Sequence, residues 1–178
     1  MDFNEIPQFT RDGNYRINVS WGYLEQTLDG YKERDQRFGS AASLDLDPDF
    51  QRGHVWKEHQ QTAFVEHVLS GGIGSKEIRF NCTGWMADFR GPFVIVDGKQ
   101  RLEAARKFIR GELKAFGYYF HEFTGRLRST TADFIFNINN LSTRKQVLKW
   151  YLEINTGGVV HTPDEIQKVR DLLAKEEA

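Results

Sequence analysis

The chain has one cysteine, almost no net charge and no long apolar run. A lone thiol, Cys82, excludes an internal disulfide and a cysteine-based zinc site; a buried thiol is its expected state. No apolar stretch approaches the roughly eighteen residues of a membrane span, and the polar, acidic start MDFNEIPQFTRDG does not read as a signal peptide. The expected setting is a soluble, cytoplasmic protein with no membrane partner. Twenty-four Lys and Arg against 25 Asp and Glu give a formal net charge of −1. That is not the basic excess of a non-specific DNA binder, so any nucleic-acid contact must come from a local patch or a partner. There is no internal repeat and no low-complexity block. The glycine cluster Gly71-Gly72-Ile73-Gly74 lacks the Lys-Ser/Thr of a Walker loop. His59 and His67 are eight residues apart, too far along a helix to share a metal readily; with His54 nearby a metal site is conceivable.

What the chain does have is apolar and aromatic mass. It is 39% hydrophobic over 178 residues, with 14 Phe, six Tyr and four Trp, enough to bury a real core and to exclude disorder over most of its length.

The organising stretch is Phe93 to Gly111, FVIVDGKQRLEAARKFIRG. Phe93 to Val96 is an unbroken run of β-branched and aromatic residues, as a core strand requires. Asp97-Gly98 is a turn signal, because glycine reaches φ > 0 without steric cost. From Lys99 the period becomes helical, with Leu102, Ala105, Phe108 and Ile109 on one face and Gly111 as the stop. A helix opening just after a glycine turn presents free N–H groups and the positive end of its dipole, a ready anion site. Asp97, Lys99, Gln100 and Arg101 crowd that end. Read blandly, the same residues make an ordinary strand-to-helix connection with a solvated polar tip.

Around this unit the sequence predicts an arm over residues 1–19 that ends in a strand, Tyr15 to Val19. A helix over Trp21 to Arg34 follows, capped by Ser20, with Trp21, Leu24, Leu28 and Tyr31 as its stripe. The charge-alternating Lys32 to Arg37 reads as a solvated face, although Arg34 and Arg37 could reach a phosphate. A half-buried strand is expected over Ser43 to Asp47. Phe50 and Trp56 bracket Gln51, Arg52 and His54 in a loop that either sets an arginine on a phosphate and a ring on a base, or simply packs. Further expectations are a helix from Lys57 to Leu69, strands over Glu77–Asn81, Gly84–Phe89 and Leu113–Phe120, and a weak segment, Thr131 to Ile138, either strand or irregular. A helix over Ser142 to Ile154 leads into the sharp turn Asn155-Thr156-Gly157-Gly158. A last helix is capped by Thr162 with Pro163 at its first position and Glu165 two residues on, and residues 175–178 fray.

Three pieces in order, Asp49-Phe50-Gln51-Arg52-Gly53-His54-Val55-Trp56, Val96-Asp97-Gly98-Lys99-Gln100-Arg101-Leu102 and Ile154-Asn155-Thr156-Gly157-Gly158, resemble the ParB/sulfiredoxin-like domain at the amino end of GmrSD-type modification-dependent restriction enzymes, over roughly Trp21 to Leu173. The resemblance implies an α+β fold over 20–174, a small mixed sheet with flanking helices, and an activity of binding and hydrolysing a nucleoside triphosphate on or near DNA. It implies catalytic roles for Asp97, Arg101 and Arg52, and phosphate contacts from Gln51, Arg52, Gly98, Lys99, Gln100, Arg101, Asn155, Thr156 and Gly157. Phe50, His54 and Trp56 would meet the base, and Asp97 would hold Mg²⁺ or orient a water. Lys99 stands where that family often has glutamine, and His54 where it has an aromatic such as tyrosine. A length of 178 residues leaves no room for the family's HNH-type nuclease domain, and His121 and His161 form no such constellation. Two other readings stay open. One is a non-catalytic nucleotide- or DNA-binding switch acting through a protein partner or a second copy. The other is a metal-dependent nuclease built on Asp97 with Asp49 or Glu103.

Overall fold

The computed structural model describes residues 3–6, 8–11, 13–37, 44–51, 53, 55–87, 91–128, 130–156 and 163–176. The fold is α+β. Strands β1 (Tyr15–Ser20), β2 (Leu44–Asp45), β3 (Glu77–Cys82), β4 (Phe93–Asp97) and β5 (Asp133–Asn139) form one mixed sheet in the order β1-β5-β3-β4-β2. The β1/β5 and β3/β4 pairs are antiparallel, while β5/β3 and β4/β2 are parallel. The flanking helices are α1 (Leu24–Arg37), α2 (Glu58–Leu69), α3 (Lys99–Ile109), α4 (Arg144–Thr156) and α5 (Pro163–Lys175).

The alternation of each strand decides its faces. Ile78 and Phe80 of β3, Phe93 and Ile95 of β4, and Phe134, Phe136 and Ile138 of β5 enter the main core, where Trp21, Leu24, Phe64, Val65, Leu102 and Phe108 cover them from the helices. Aromatic rings fill its centre: Phe80 lies 4.7 Å from Phe93 and 4.8 Å from Phe136 between centroids, and Trp21 lies 5.4 Å from Phe134. On the other side of the sheet Val96 joins Phe50, Val147, Leu148, Trp150, Tyr151 and Val169 in a second, smaller core, with Val94 packed against it. β4 is therefore buried on both faces, which is why its sequence is an unbroken apolar run.

The amino-terminal segment is tied across this second face. Asn139 donates to Arg11 O at 2.8 Å and accepts from Asn14 N at 3.1 Å, and Thr10 N donates to Glu153 of α4 at 2.9 Å. Its strand, β1, is an edge strand in full register with β5.

Several expectations are corrected. Leu113 to Phe120 is not a strand. Phe116 (φ 52°) and Gly117 (φ 84°) both take positive φ, and only the Ala115–Tyr118 bridge closes a two-residue turn, the pattern of type I′. Gly84 to Ala87 is a run of turns instead of a strand, with Trp85 N donating to Cys82 O and Ala87 N to Gly84 O. The strand near Ser43 is only Leu44–Asp45. The first turn after Ser20 is a 3-10 turn, Trp21–Tyr23, that leads into α1. The weakly patterned segment after Thr131 is β5, buried between β1 and β3. Cys82 is buried, as expected. No helix among the described residues is long and apolar enough to cross a membrane.

Helix α1 is fastened to α3 by Glu25, which accepts from Arg106 at 2.7 Å and Arg110 at 2.6 Å. Burial pushes the Glu25 carboxyl up, but hydrogen bonds and charge from the two arginines outweigh it and hold it below the ordinary range, while Arg110 is raised mainly by the hydrogen bond it donates to Glu25. A depressed carboxyl contributes stability above its unfolded value, about 4.3, and loses that contribution as pH falls through the lower folded value. Urea midpoints taken from pH 7 to pH 3 therefore drop more steeply on the acid side in the wild type than in Glu25→Gln. Parallel profiles would show that this pair does not couple folding to protons.

Candidate functional site at the end of β4

β4 ends at Asp97, the chain turns through Gly98 and α3 begins at Lys99. Gly98 sits at φ 95°, ψ 9°, as the N-cap residue of α3. There is no room for a side chain: a Cβ would lie 2.6 Å from Ile78 Cδ1, 3.2 Å from an Arg101 nitrogen and 3.3 Å from Glu77 O. Glycine is required here both for its backbone and for the close approach of β3.

A bulge between Arg79 and Phe80 sets Arg79 directly opposite Asp97. Asp97 Oδ2 accepts from Arg79 at 3.0 Å and from Arg101 at 3.0 Å. Arg101 also donates to Glu77 O at 2.9 Å. The Glu77 carboxylate in turn meets Arg79 at 3.2 Å and Arg16 at 3.3 Å. The result is an alternating row, Arg16–Glu77–Arg79–Asp97–Arg101, with three guanidiniums against two carboxylates. Exposure falls from 61% at the Arg16 side chain to 18% at Arg79 and 22% at Arg101, so the inner half of the row lies in a medium where charge counts. The buried Arg101 Nε has no hydrogen-bond partner among the described residues.

The amides and the lysine serve the framework. Gln100 accepts from Val55 N and Trp56 N, each at 3.2 Å, and donates to Gly53 O at 3.1 Å, so it clamps the loop before α2 onto the helix start. Gln51 donates to Ile95 O at 2.8 Å from the same loop. Lys99 is a buried side chain, 6% exposed, whose ammonium pairs with Asp47. Asp49 is held by Arg144 of α4 at 2.8 Å, and Lys168 of α5 donates to Asp49 O at 2.8 Å.

Thus Asp97, Gly98, Lys99, Gln100, Arg101, Gln51 and Trp56 do gather at one junction. The aromatics are a different matter. Phe50 is 4% exposed, edge-on to Tyr151 at 5.2 Å in the second core, and Trp56 packs on Phe64 at 5.6 Å. Packing against α4 takes the Phe50 ring away from the role of open base platform, while Trp56 stays partly exposed. Asn155 is corrected too. α4 continues through it to Thr156, and its amide donates to Tyr151 O at 2.7 Å within the helix, in place of the expected sharp turn. Arg52, His54, Gly157 and Gly158 lie outside the described residues, as do Ser43, Phe89, His161 and Thr162.

Arg79, Glu77 and Arg16 are the residues that sequence reading passed over. The signal was present in the alternation of Glu77-Ile78-Arg79-Phe80-Asn81, which sets both charges on the face away from the main core. The carboxylates of a metal-dependent nuclease do not converge: Asp97 is shared by two arginines, Asp49 is bound to Arg144, and Glu103 lies 4.0 Å from Arg106. Among the described residues no group of three or more His, Cys, Asp or Glu could hold a metal ion. Compared with family models, with curated proteins and with solved structures, the chain gives no match.

Proposed function

We propose that the chain is a ParB/sulfiredoxin-like domain that binds a nucleoside triphosphate at the Asp97–Arg101 turn and hydrolyses it, acting on or near DNA. The observation that carries this reading is the meeting of a helix N-terminus, a left-handed glycine and a guanidinium pair on one carboxylate. The N–H groups of Lys99, Gln100 and Arg101 open α3 and lie at the positive end of its dipole. They would cradle phosphate, with Arg79 and Arg101 stabilising the charge that grows during phosphoryl transfer. Arg52 would add a further cation from the loop that Gln100 clamps. Asp97 takes both arginines on Oδ2, which leaves Oδ1 to orient a water. A carboxylate neutralised in this way is a poor resident metal ligand, so Mg²⁺ would arrive with the triphosphate as part of the substrate.

A second reading, a non-catalytic switch working through a partner, is favoured by the commitment of Lys99, Gln100 and Gln51 to Asp47, the loop and Ile95 O. It shares the binding step and lacks the hydrolysis.

The test is thermal stabilisation by ATP, GTP, CTP and UTP, each with and without Mg²⁺, in the wild type and in Arg101→Lys. A nucleotide at 100 times its Kd adds about 2.7 kcal/mol of stability, and the substitution, which keeps charge but loses the fork, is expected to abolish most of it. Phosphate release then separates the two readings. The absence of any shift with all four nucleotides would remove the triphosphate reading and leave a DNA- or protein-binding module.

A further inference from the structure

Residues 111–128 and 130–132 leave the end of α3, return to β5 with no regular strand among the described residues, and wall a cavity of about 610 Å³ against the C-terminal ends of α2 and α3. The cavity is reached at Phe108, nine residues and about 14 Å of helix rise from Lys99, so it is separate from the turn at Gly98.

Its lining is aromatic and cationic. Phe120 and Phe123 stand edge-on to Phe108, with centroids 5.4 and 5.8 Å away. Phe116 and Phe123 keep 51% and 42% of their surface exposed. Phe116 is held there at φ 52°, with its N–H donating to Glu66 Oε1 at 2.6 Å. A bulky residue at positive φ is strained, and such positions cluster at ligand sites. Arg126 and Arg128 lie on the same wall, both exposed. Arg79, Arg101, Arg106, Arg110 and Arg144 all have carboxylate partners, whereas Arg126 and Arg128 have none among the described residues.

We infer that this cavity seats one nucleotide unit, the base among the phenylalanines and the phosphate on Arg126 and Arg128. The inference does not rest on the reading of the turn. A flat base stacks favourably on an aromatic side chain, and the guanidinium fork matches phosphate oxygens. The volume lies in the range of roughly 300–1,000 Å³ typical of ligand sites; a single-ring aromatic carboxylate would leave most of it empty. With a whole-chain charge of −1, attraction for a polyanion has to be local, and two arginines without a carboxylate partner among the described residues, beside exposed rings, provide it.

The nucleotide unit has two sources, a free mononucleotide or one residue of a single strand. Three probes separate them, all without triphosphate: anisotropy of a fluorescein-labelled single-stranded thymidine oligonucleotide, thermal stabilisation by dTMP, and thermal stabilisation by benzoate. Binding of the oligonucleotide alone assigns a strand, and stabilisation by dTMP as well assigns the free nucleotide. In either case Arg126→Ala with Arg128→Ala should weaken binding at least tenfold and lower the salt slope of the oligonucleotide by about 0.7, one phosphate contact's worth. Phe123→Ala should weaken binding without changing that slope. No binding of either nucleotide probe overturns the inference, as does a response to benzoate alone. Binding that survives the arginine changes also overturns it, and its loss in Arg101→Lys instead would assign the signal to the turn.

Discussion

Asp97→Ala is expected to lower folding stability by about 2–4 kcal/mol, whatever the ligand. The reason is the row it belongs to: two guanidiniums, 18% and 22% exposed, share its Oδ2, and removing it leaves both without their common counter-charge. Asp97→Asn keeps the shape and an acceptor oxygen, and falls between the wild type and the alanine variant. Urea unfolding at pH 7 measures this through the midpoint, with the slope unchanged if the unfolded state is unaffected. A loss below about 0.5 kcal/mol would mean that the row behaves as an ordinary solvated surface pair. Pairing Asp97→Ala with Arg79→Ala in a double-mutant cycle isolates the bond across the bulge, which the Arg101 bond does not share. The result also governs how an activity assay is read. A residue that stabilises the fold and faces the presumed phosphate cannot be assigned a chemical role from lost activity alone, so binding must be measured on variants shown to be folded.

Gly98→Ala is expected to cost about 2–4 kcal/mol, from two separable terms. A left-handed backbone costs an L-residue roughly 1–2 kcal/mol. The new methyl meets Ile78 Cδ1 at 2.6 Å, and it can be accommodated only if β3 or that side chain gives way. For a chain of this size the loss appears as a fall of roughly 5–15 °C in Tm. Adding Ile78→Val, which shortens the clashing arm, should recover part of the packing term and none of the backbone term. Equal stability for Gly98→Ala with and without Ile78→Val would show that the backbone alone sets the requirement. A near-neutral Gly98→Ala would contradict the close approach of β3 to the turn.

Local chemistry was readable because it needs only neighbours in sequence. The apolar run Phe93 to Val96, the turn at Asp97-Gly98 and the helical period from Lys99 all follow from residues a few positions apart, and the structure has all three. The two segments that misled, Gly84 to Phe89 and Leu113 to Phe120, are rich in aromatics, which raises strand propensity; the deciding features were the positive φ at Phe116 and Gly117 and the lack of a partner edge. The opposite error fell on Asp133 to Asn139. Its second face carries Asn137 and Asn139, which look wrong for a central strand until the polar face and the strapped amino-terminal segment are in view.

By itself the sequence determined an aromatic α+β chain of nearly balanced charge, with a strand–glycine–helix unit at its centre. Only the tertiary structure decided what that unit's side chains do. Lys99 goes to Asp47, Gln100 clamps the loop at Val55 and Trp56, and Arg101 shares Asp97 with Arg79 from a strand eighteen residues earlier. Tertiary structure also placed Phe50 inside a core and the phenylalanines of residues 116–123 around a cavity. The physical reason is range: backbone conformation is set by sterics within a few residues, whereas an ion pair or a packed ring depends on which strands register against each other.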